Sequence, residues 1–195
     1  MLQYLVFVGA AVNLVFGALP YIKDTLKGKT KPNRVSWLMW SIAPLIGTIA
    51  AVINGVGWAV LPVFMAGFIP VLVFISSSFN KDSYWKLGKF DYLCGFFSAV
   101  ALILWAVTKN PVVAIFFSIV GDFSAGVPTL IKSWKHPETE TVAIYAAGIF
   151  TVLTGFAAVK TWNFSSVGFL IYLLIFNIIT TILILRSRFI KKNNP

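Results

Sequence analysis

Three kinds of residue are scarce in this sequence of 195 residues: cysteine, histidine and acids. Cys94 is the one cysteine, so no intrachain disulfide can form. His136 is the one histidine, and no acid pair, metal-ligand spacing or nucleophile motif accompanies it. The sequence also has no phosphate-binding loop and no zinc motif. These absences argue against an enzyme, and they predict neither a metal nor a cofactor.

Charge is scarce too, because only 11% of the residues are charged while 58% are hydrophobic, with a mean hydropathy of +0.87. A soluble domain of this length could not bury so much apolar surface. The apolar runs are about 20 residues long, the length that a helix needs to span ~30 Å of hydrocarbon. We therefore expect an all-α integral membrane protein. No basic residue precedes the first run, which indicates a retained helix rather than a cleaved signal peptide.

Seven apolar segments can be drawn, and each is predicted to be a transmembrane helix. They cover residues 2–21, 35–53, 58–78, 90–108, 112–131, 141–159 and 165–185. Of the 16 Lys and Arg residues, 14 fall on one side of this topology, and Lys109 and Lys160 fall on the other. The positive-inside rule then places the C-terminus in the cytoplasm and the N-terminus outside.

The net charge of +10 is spread over short links rather than one face, so topology explains it better than nucleic-acid binding. The basic links could also engage partners or anionic lipid. Compact links without appended soluble domains favour a bacterial inner membrane.

Two stretches of the chain are similar to one another. Pro20 and Pro128 each close the first of three consecutive segments, and a basic link follows each of them. The next segment starts with a proline, then a hydroxyl four residues later and a bulky aromatic after four more: Pro32, Ser36 and Trp40, or Pro137, Thr141 and Tyr145. This pattern predicts two parallel three-helix repeats, residues 1–79 and 111–195, joined by a linker helix within 80–110.

This 3+1+3 plan, with a proline in the first helix of each unit, resembles the PQ-loop superfamily, which includes the SWEET sugar carriers. The resemblance implies a carrier with its substrate site between the two units. The family's Pro-Gln pair reads Pro20-Tyr21 and Pro128-Thr129 here, so both glutamines are replaced. Of the asparagines that face the sugar in SWEET carriers, Asn177 has a match in the last segment, whereas the third segment offers none.

Asp122 lies near the middle of its apolar segment, and Ser118 lies one helical turn before it on the same face. An acid at bilayer depth costs ~3 to ~15 kcal/mol, so it usually faces a cavity or a partner and marks a function. Asn13 and Asn177 lie at about the same depth, where transporters built from repeats bind substrate. The alternative is structural: a neutral Asp122 and two asparagines that hydrogen-bond neighbouring helices.

Trp40 and Tyr145 are predicted to wall the same site, because aromatic rings with a polar group suit stacking on a ring or caging a cation. We expect Trp37, one turn nearer the cytoplasm, in the interfacial belt rather than the site. Pro20, Pro44 and Pro128 are candidate hinges for alternating access, with static kinks as the alternative.

The sequence thus predicts a carrier or facilitator of a small polar solute. Asp122 would bind a proton or a cationic part of the substrate, and protonation of Asp122 would couple transport to the proton gradient. The alternative is a non-transporting membrane receptor that uses the same cavity, as the KDEL receptor does in a similar fold. The solute's identity and a homo-oligomeric state stay open.

Overall fold

A computed structural model describes residues 4–53, 61–83, 85–108 and 110–193. Within these ranges most residues belong to seven long helices, and no strand occurs. The helices are α1 (Leu5–Leu26), α2 (Arg34–Ile53), α3 (Leu61–Ser76), α4 (Lys89–Val107), α5 (Pro111–Lys135), α6 (Ala143–Ala158) and α7 (Phe164–Asn193). Each helix coincides with one predicted apolar segment, so the all-α prediction is confirmed. The start of the third segment and Lys109 lie outside the described residues.

Local chemistry sets several helix boundaries. The side-chain oxygens of Asn33, Asn110 and Asn163 accept hydrogen bonds of 2.9–3.1 Å from main-chain N–H groups in the first turns of α2, α5 and α7. Such caps satisfy donors that the helix itself leaves free. Helix α1 ends at a turn that contains Gly28, whose φ of 75° favours glycine. The helices therefore begin and end where their polar residues provide caps and turns.

Four of the helices contain stretches long and apolar enough to cross a membrane: Leu5–Leu26, Lys89–Val107, Val112–Lys135 and Ser166–Arg186. Two further apolar stretches are shorter, Val63–Ser76 and Ala143–Ala158. Only 22–28% of the most apolar part of each long stretch is buried inside the bundle, so most of its surface faces outward. Length, composition and this outward apolar surface indicate a membrane protein.

Six of the helices form a ring of contacts in the order α1, α3, α2, α5, α7 and α6, and we call α1–α3 and α5–α7 its two triplets. In one triplet α3 contacts both α1 and α2, and in the other α7 contacts both α5 and α6. The triplets meet where α1 packs on α6 and where α2 packs on α5. Exchanging α1 with α5, α2 with α6 and α3 with α7 reproduces this set of contacts. Helix α4 packs on α5 and α2 and has no equivalent helix in this exchange.

Helix α1 is not uniform along its length, because Asn13–Ala18 forms a π-helical stretch. Pro20 lies two residues beyond this stretch and has no N–H to donate to the preceding turn. A wider turn accommodates such a gap, and π-helical turns inside α-helices often occur at functional sites. Pro44 and Pro128 lie inside α2 and α5. The role of these prolines as hinges stays a prediction.

Three links meet at one end of the bundle, which we call the basic end: segments 27–33, 77–88 and 136–142. The Lys31 main-chain N–H donates to the Thr139 carbonyl oxygen at 2.9 Å, which joins the first link to the third. The Asn80 side-chain amide donates to the Leu26 carbonyl oxygen at 2.8 Å, which joins the second link to the end of α1. The basic links are thus on the same side of the protein.

Candidate functional site

A cavity of about 260 Å³ lies between the two triplets, and residues of α1, α2, α3, α5, α6 and α7 line it. Five of the six predicted substrate-binding residues are in its wall: Asn13, Trp40, Asp122, Tyr145 and Asn177. Ser118 is not among the lining residues. Its hydroxyl donates to the Ala114 carbonyl oxygen of its own helix at 2.9 Å. Ser118 therefore lies outside the lining of this cavity, and its part in a substrate site stays a prediction.

Asp122 is held at the cavity wall by contacts to two other helices. The Tyr172 hydroxyl of α7 donates to Asp122 Oδ2 at 2.6 Å. The Trp40 indole N–H of α2 donates to the Asp122 main-chain oxygen at 3.2 Å. Asp122 as a whole is partly buried, and it is one of the residues that line the cavity. Tyr172 was not predicted, because no spacing in the sequence relates it to Asp122.

Aromatic rings cover the wall beside Asp122. Trp40 meets Phe176 edge to face with ring centroids 5.8 Å apart, and Trp37 meets Trp40 in the same way at 5.2 Å. Gly126 makes room for these rings, since a Cβ there would lie 2.5 Å from Phe176. Trp37 is 3% exposed and lines the cavity, so its assignment to an interfacial belt is wrong.

The two asparagines lie in the same wall but make different contacts. The Asn177 amide donates to the Leu173 carbonyl oxygen of its own helix at 2.8 Å, and its side chain fits against Gly148. Asn13 begins the π-helical stretch, and its buried Oδ1 has no hydrogen-bond partner. An unpaired buried acceptor costs about 1–3 kcal/mol. Both residues thus line one cavity, as their similar depth predicts. The hydrogen bonds described for them do not join two helices.

A buried ion pair lies at the basic end of the bundle, next to a residue of the cavity wall. Lys132 of α5 and Glu140 of the third link form a salt bridge in which both side chains are fully buried. Glu140 Oε2 accepts the Tyr21 hydroxyl at 2.9 Å and the Tyr145 hydroxyl at 3.3 Å. The Lys132 ammonium also donates to the Lys31 carbonyl oxygen. We call Tyr21, Lys132, Glu140 and Tyr145 the buried ion-pair cluster.

Sequence reasoning missed this cluster. Lys132 had counted only as a topology-setting charge of a link, and Glu140 had no predicted role. The two residues lie eight apart across a turn, and no helical or strand period brings such residues together. Since Tyr145 belongs both to the cluster and to the cavity wall, the cluster adjoins the cavity there, and we call this side of the cavity its floor. The wall extends from there to Val6 and Phe169, toward the other end of the bundle.

The described part of the chain contains no group of three or more His, Cys, Asp and Glu residues that could hold a metal ion. Comparison of the chain with protein-family models, curated proteins and solved structures found no match. The fold and the cavity define the chain as an all-α protein with helices long and apolar enough to cross a membrane and a mainly apolar cavity that Asp122 also lines.

Proposed function

We propose that this protein is a carrier or facilitator that moves a small polar solute across the membrane through the cavity between its triplets. The observation that carries the proposal is Asp122, a carboxyl group near the middle of α5 that lines the cavity. Such a group is expensive at bilayer depth unless a hydrated site needs it. At about 260 Å³ the cavity is smaller than the ~300–1,000 Å³ of drug-sized sites, which suits a small solute.

In the proposed topology all seven helices cross the membrane, as two parallel repeats joined by α4. The exchange of equivalent helices that preserves the packing contacts supports this assignment. A pair of hydrogen bonds supports it further. The residue after the proline of each first helix donates its hydroxyl to the other unit. Tyr21 donates to Glu140 in the link before α6, and Thr129 donates to Ser36 in the first turn of α2 at 3.1 Å. These are the positions where the PQ-loop resemblance expects glutamine.

The basic end would face the cytoplasm, because it carries most of the Lys and Arg residues. The buried ion-pair cluster would then lie on the cytoplasmic side of the cavity, and in this proposal the cavity is open to the outside. Transport would require the cluster to separate while the opposite end closes. Both partners of the Lys132–Glu140 pair lie in the second unit, whereas Tyr21 and the Lys31 carbonyl group belong to the first. Separation of the units would therefore break the hydrogen bond of Glu140 to Tyr21 and that of Lys132 to the Lys31 carbonyl oxygen.

The test is uptake by proteoliposomes, with a mixture of named solutes measured by mass spectrometry: glucose, arabinose, alanine, choline, putrescine and nicotinamide. We expect at least one solute to enter faster than in protein-free liposomes, and Asp122→Asn to reduce that uptake tenfold or more. Asp82→Asn, at an exposed acid of the second link, is the matched control and should leave uptake unchanged. Binding of a solute without uptake would instead favour the receptor.

Proton coupling is the finer part of this proposal. Uptake driven by an imposed pH gradient is expected in the wild type and absent in Asp122→Asn. If the variant transports undiminished between about pH 5 and 8, coupling through this residue is refuted.

A further inference from the structure

The charged groups of the cavity wall are of one sign, negative. Of the described residues that line the cavity, Asp122 is the one acid, and none is Lys, Arg or His. The nearby cation at the floor, Lys132, is paired with Glu140 and lies beyond Tyr145. A solute in the cavity therefore meets one carboxyl group and no compensating positive side chain. Because opposite charges attract strongly where water is excluded, this wall favours a cation over an anion.

The neighbours of Asp122 distinguish an organic cation from a metal ion. Metal ions such as Mg²⁺ and Ca²⁺ need about six or more oxygen ligands, whereas the wall beside Asp122 consists mainly of aromatic and aliphatic side chains. Trp40, Phe176 and Tyr172 form a continuous set of rings, with centroids 5.8 Å and 6.0 Å apart, and Tyr172 bonds the carboxyl group itself. Ring faces next to one carboxylate are what a substituted ammonium group requires.

The same wall is poorly suited to a sugar, which is recognised through many directional hydrogen bonds. The Asn177 amide N–H group already donates to Leu173, and the Thr151 hydroxyl donates to carbonyl oxygens of Gly9 and Ala147. The Tyr145 hydroxyl likewise donates to Glu140. A polyol would find Asn13, the Trp37 indole N–H and the second Asn177 N–H, fewer groups than its several hydroxyls require, whereas a cation would find the carboxyl group and the rings.

From this arrangement we propose that the cavity binds a small organic cation, an amine or a quaternary ammonium, with Asp122 as its counter-ion and the rings of Trp40 and Phe176 against its substituents. Only the claim that this cation is also transported rests on the function proposed above. The binding site itself requires only the cavity and its wall.

The experiment compares cations with neutral molecules of nearly the same shape. Purified full-length protein in detergent is titrated with choline and with 3,3-dimethyl-1-butanol, in which carbon replaces the charged nitrogen. A second pair is benzylamine and benzyl alcohol. Binding is followed by calorimetry and by tryptophan fluorescence, since Trp37 and Trp40 line the cavity. At least one cation should bind tenfold or more tightly than its neutral partner.

Two variants localise the effect. Asp122→Asn should lower the affinity for that cation at least tenfold and abolish the discrimination, while the exposed Asp82→Asn control keeps both. Trp40→Leu should lower the affinity for the cation more than the affinity for its neutral partner. This variant keeps the proposal testable if Asp122→Asn does not fold. Equal binding within each pair, no binding of either cation, or full cation affinity in a folded Asp122→Asn protein would overturn the proposal.

Failure here is distinguishable from failure of the carrier proposal. If proteoliposomes take up a neutral solute and no cation binds, the substrate class is wrong and the carrier stands. If a cation binds through Asp122 and no solute enters, the binding class stands and the carrier is wrong.

Discussion

The buried ion pair between Lys132 and Glu140 makes a sharp prediction about stability: removing one charge should be worse than removing both. Both side chains are fully buried, so the loss of one partner leaves a charge in a poorly solvated place. Removing one partner of such a pair typically costs about 3–5 kcal/mol, whereas replacing both by neutral groups is often close to neutral. The variants are Lys132→Met, Glu140→Gln and the double substitution.

The surroundings set the expected order of the two single variants. After Lys132→Met, Glu140 still accepts two tyrosine hydroxyls, so we expect the free energy of unfolding to fall by about 3 kcal/mol. After Glu140→Gln, the Lys132 ammonium retains the Lys31 carbonyl oxygen and the Trp85 ring at 5.3 Å. Because no formal negative charge then pairs with the Lys132 ammonium, we expect a loss of about 5 kcal/mol. The double variant should be more stable than either single variant, so its cost should stay below about 3 kcal/mol, far short of the ~8 kcal/mol that two additive effects would give.

Thermal unfolding of the purified protein in detergent measures these differences. Cys94 is buried, so a thiol-reactive dye reports unfolding without an added label. For a chain of this size each kcal/mol shifts the melting temperature by about 2–4 °C. The control is Glu138→Gln, which breaks the His136–Glu138 contact in the same link, where the side chains are 53% and 62% exposed. It should change stability by less than about 0.5 kcal/mol.

The reasoning is refuted if the two single effects simply add in the double variant. It is refuted equally if Glu138→Gln destabilises as much as Glu140→Gln, because burial would then not be the cause.

Three further predictions concern packing and capping. Gly148→Ala should weaken solute binding, because its Cβ would lie 2.6 Å from Asn177 Oδ1, whereas Gly155→Ala in the same helix meets only the Leu170 side chain at 3.3 Å and should not. Asn33→Ala should lower stability by about 2–3 kcal/mol, since it removes both the α2 cap and the 2.6 Å bond to Asp91. Asn110→Ala, which removes a cap alone, should cost about 1 kcal/mol by the same melting assay, and a loss equal to that of Asn33→Ala would contradict this comparison.

The positions of the helices could be predicted, because apolar runs and polar links are properties of sequence alone. Their ends were less predictable where polar residues are buried by neighbours. Helix α1 continues to Leu26, and Thr25 within its last turn is fully buried. Helix α5 continues past residue 131 to Lys135, and Lys132 finds its partner in a link. The first polar residues end an apolar run, but the helix itself continues where those polar residues pack against the basic end.

Depth along a helix could likewise be predicted, while lateral contacts could not. Asn13, Asp122 and Asn177 share a cavity because each lies near the middle of its segment. Ser118 shares a helical face with Asp122, but four residues displace it by about 6 Å along the axis, beyond the cavity. Tyr172 reaches Asp122 through the rotation of α7 against α5, which no sequence period encodes.

The central claim is that the cavity opens alternately to the two sides of the membrane, and cysteine labelling tests it most directly. Ala10 lines the cavity, whereas its neighbour Ala11 is exposed on the outer surface of α1. Each is replaced by cysteine in a Cys94→Ala background and treated with a membrane-impermeant thiol reagent from either side.

We expect Ala10→Cys to react from the outside and only weakly from the cytoplasm. Adding Lys132→Met and Glu140→Gln should increase the cytoplasmic reaction, while Ala11→Cys stays unreactive from both sides. Cytoplasmic labelling of Ala10→Cys that does not respond to loss of the ion pair, or no labelling from either side, would contradict the account.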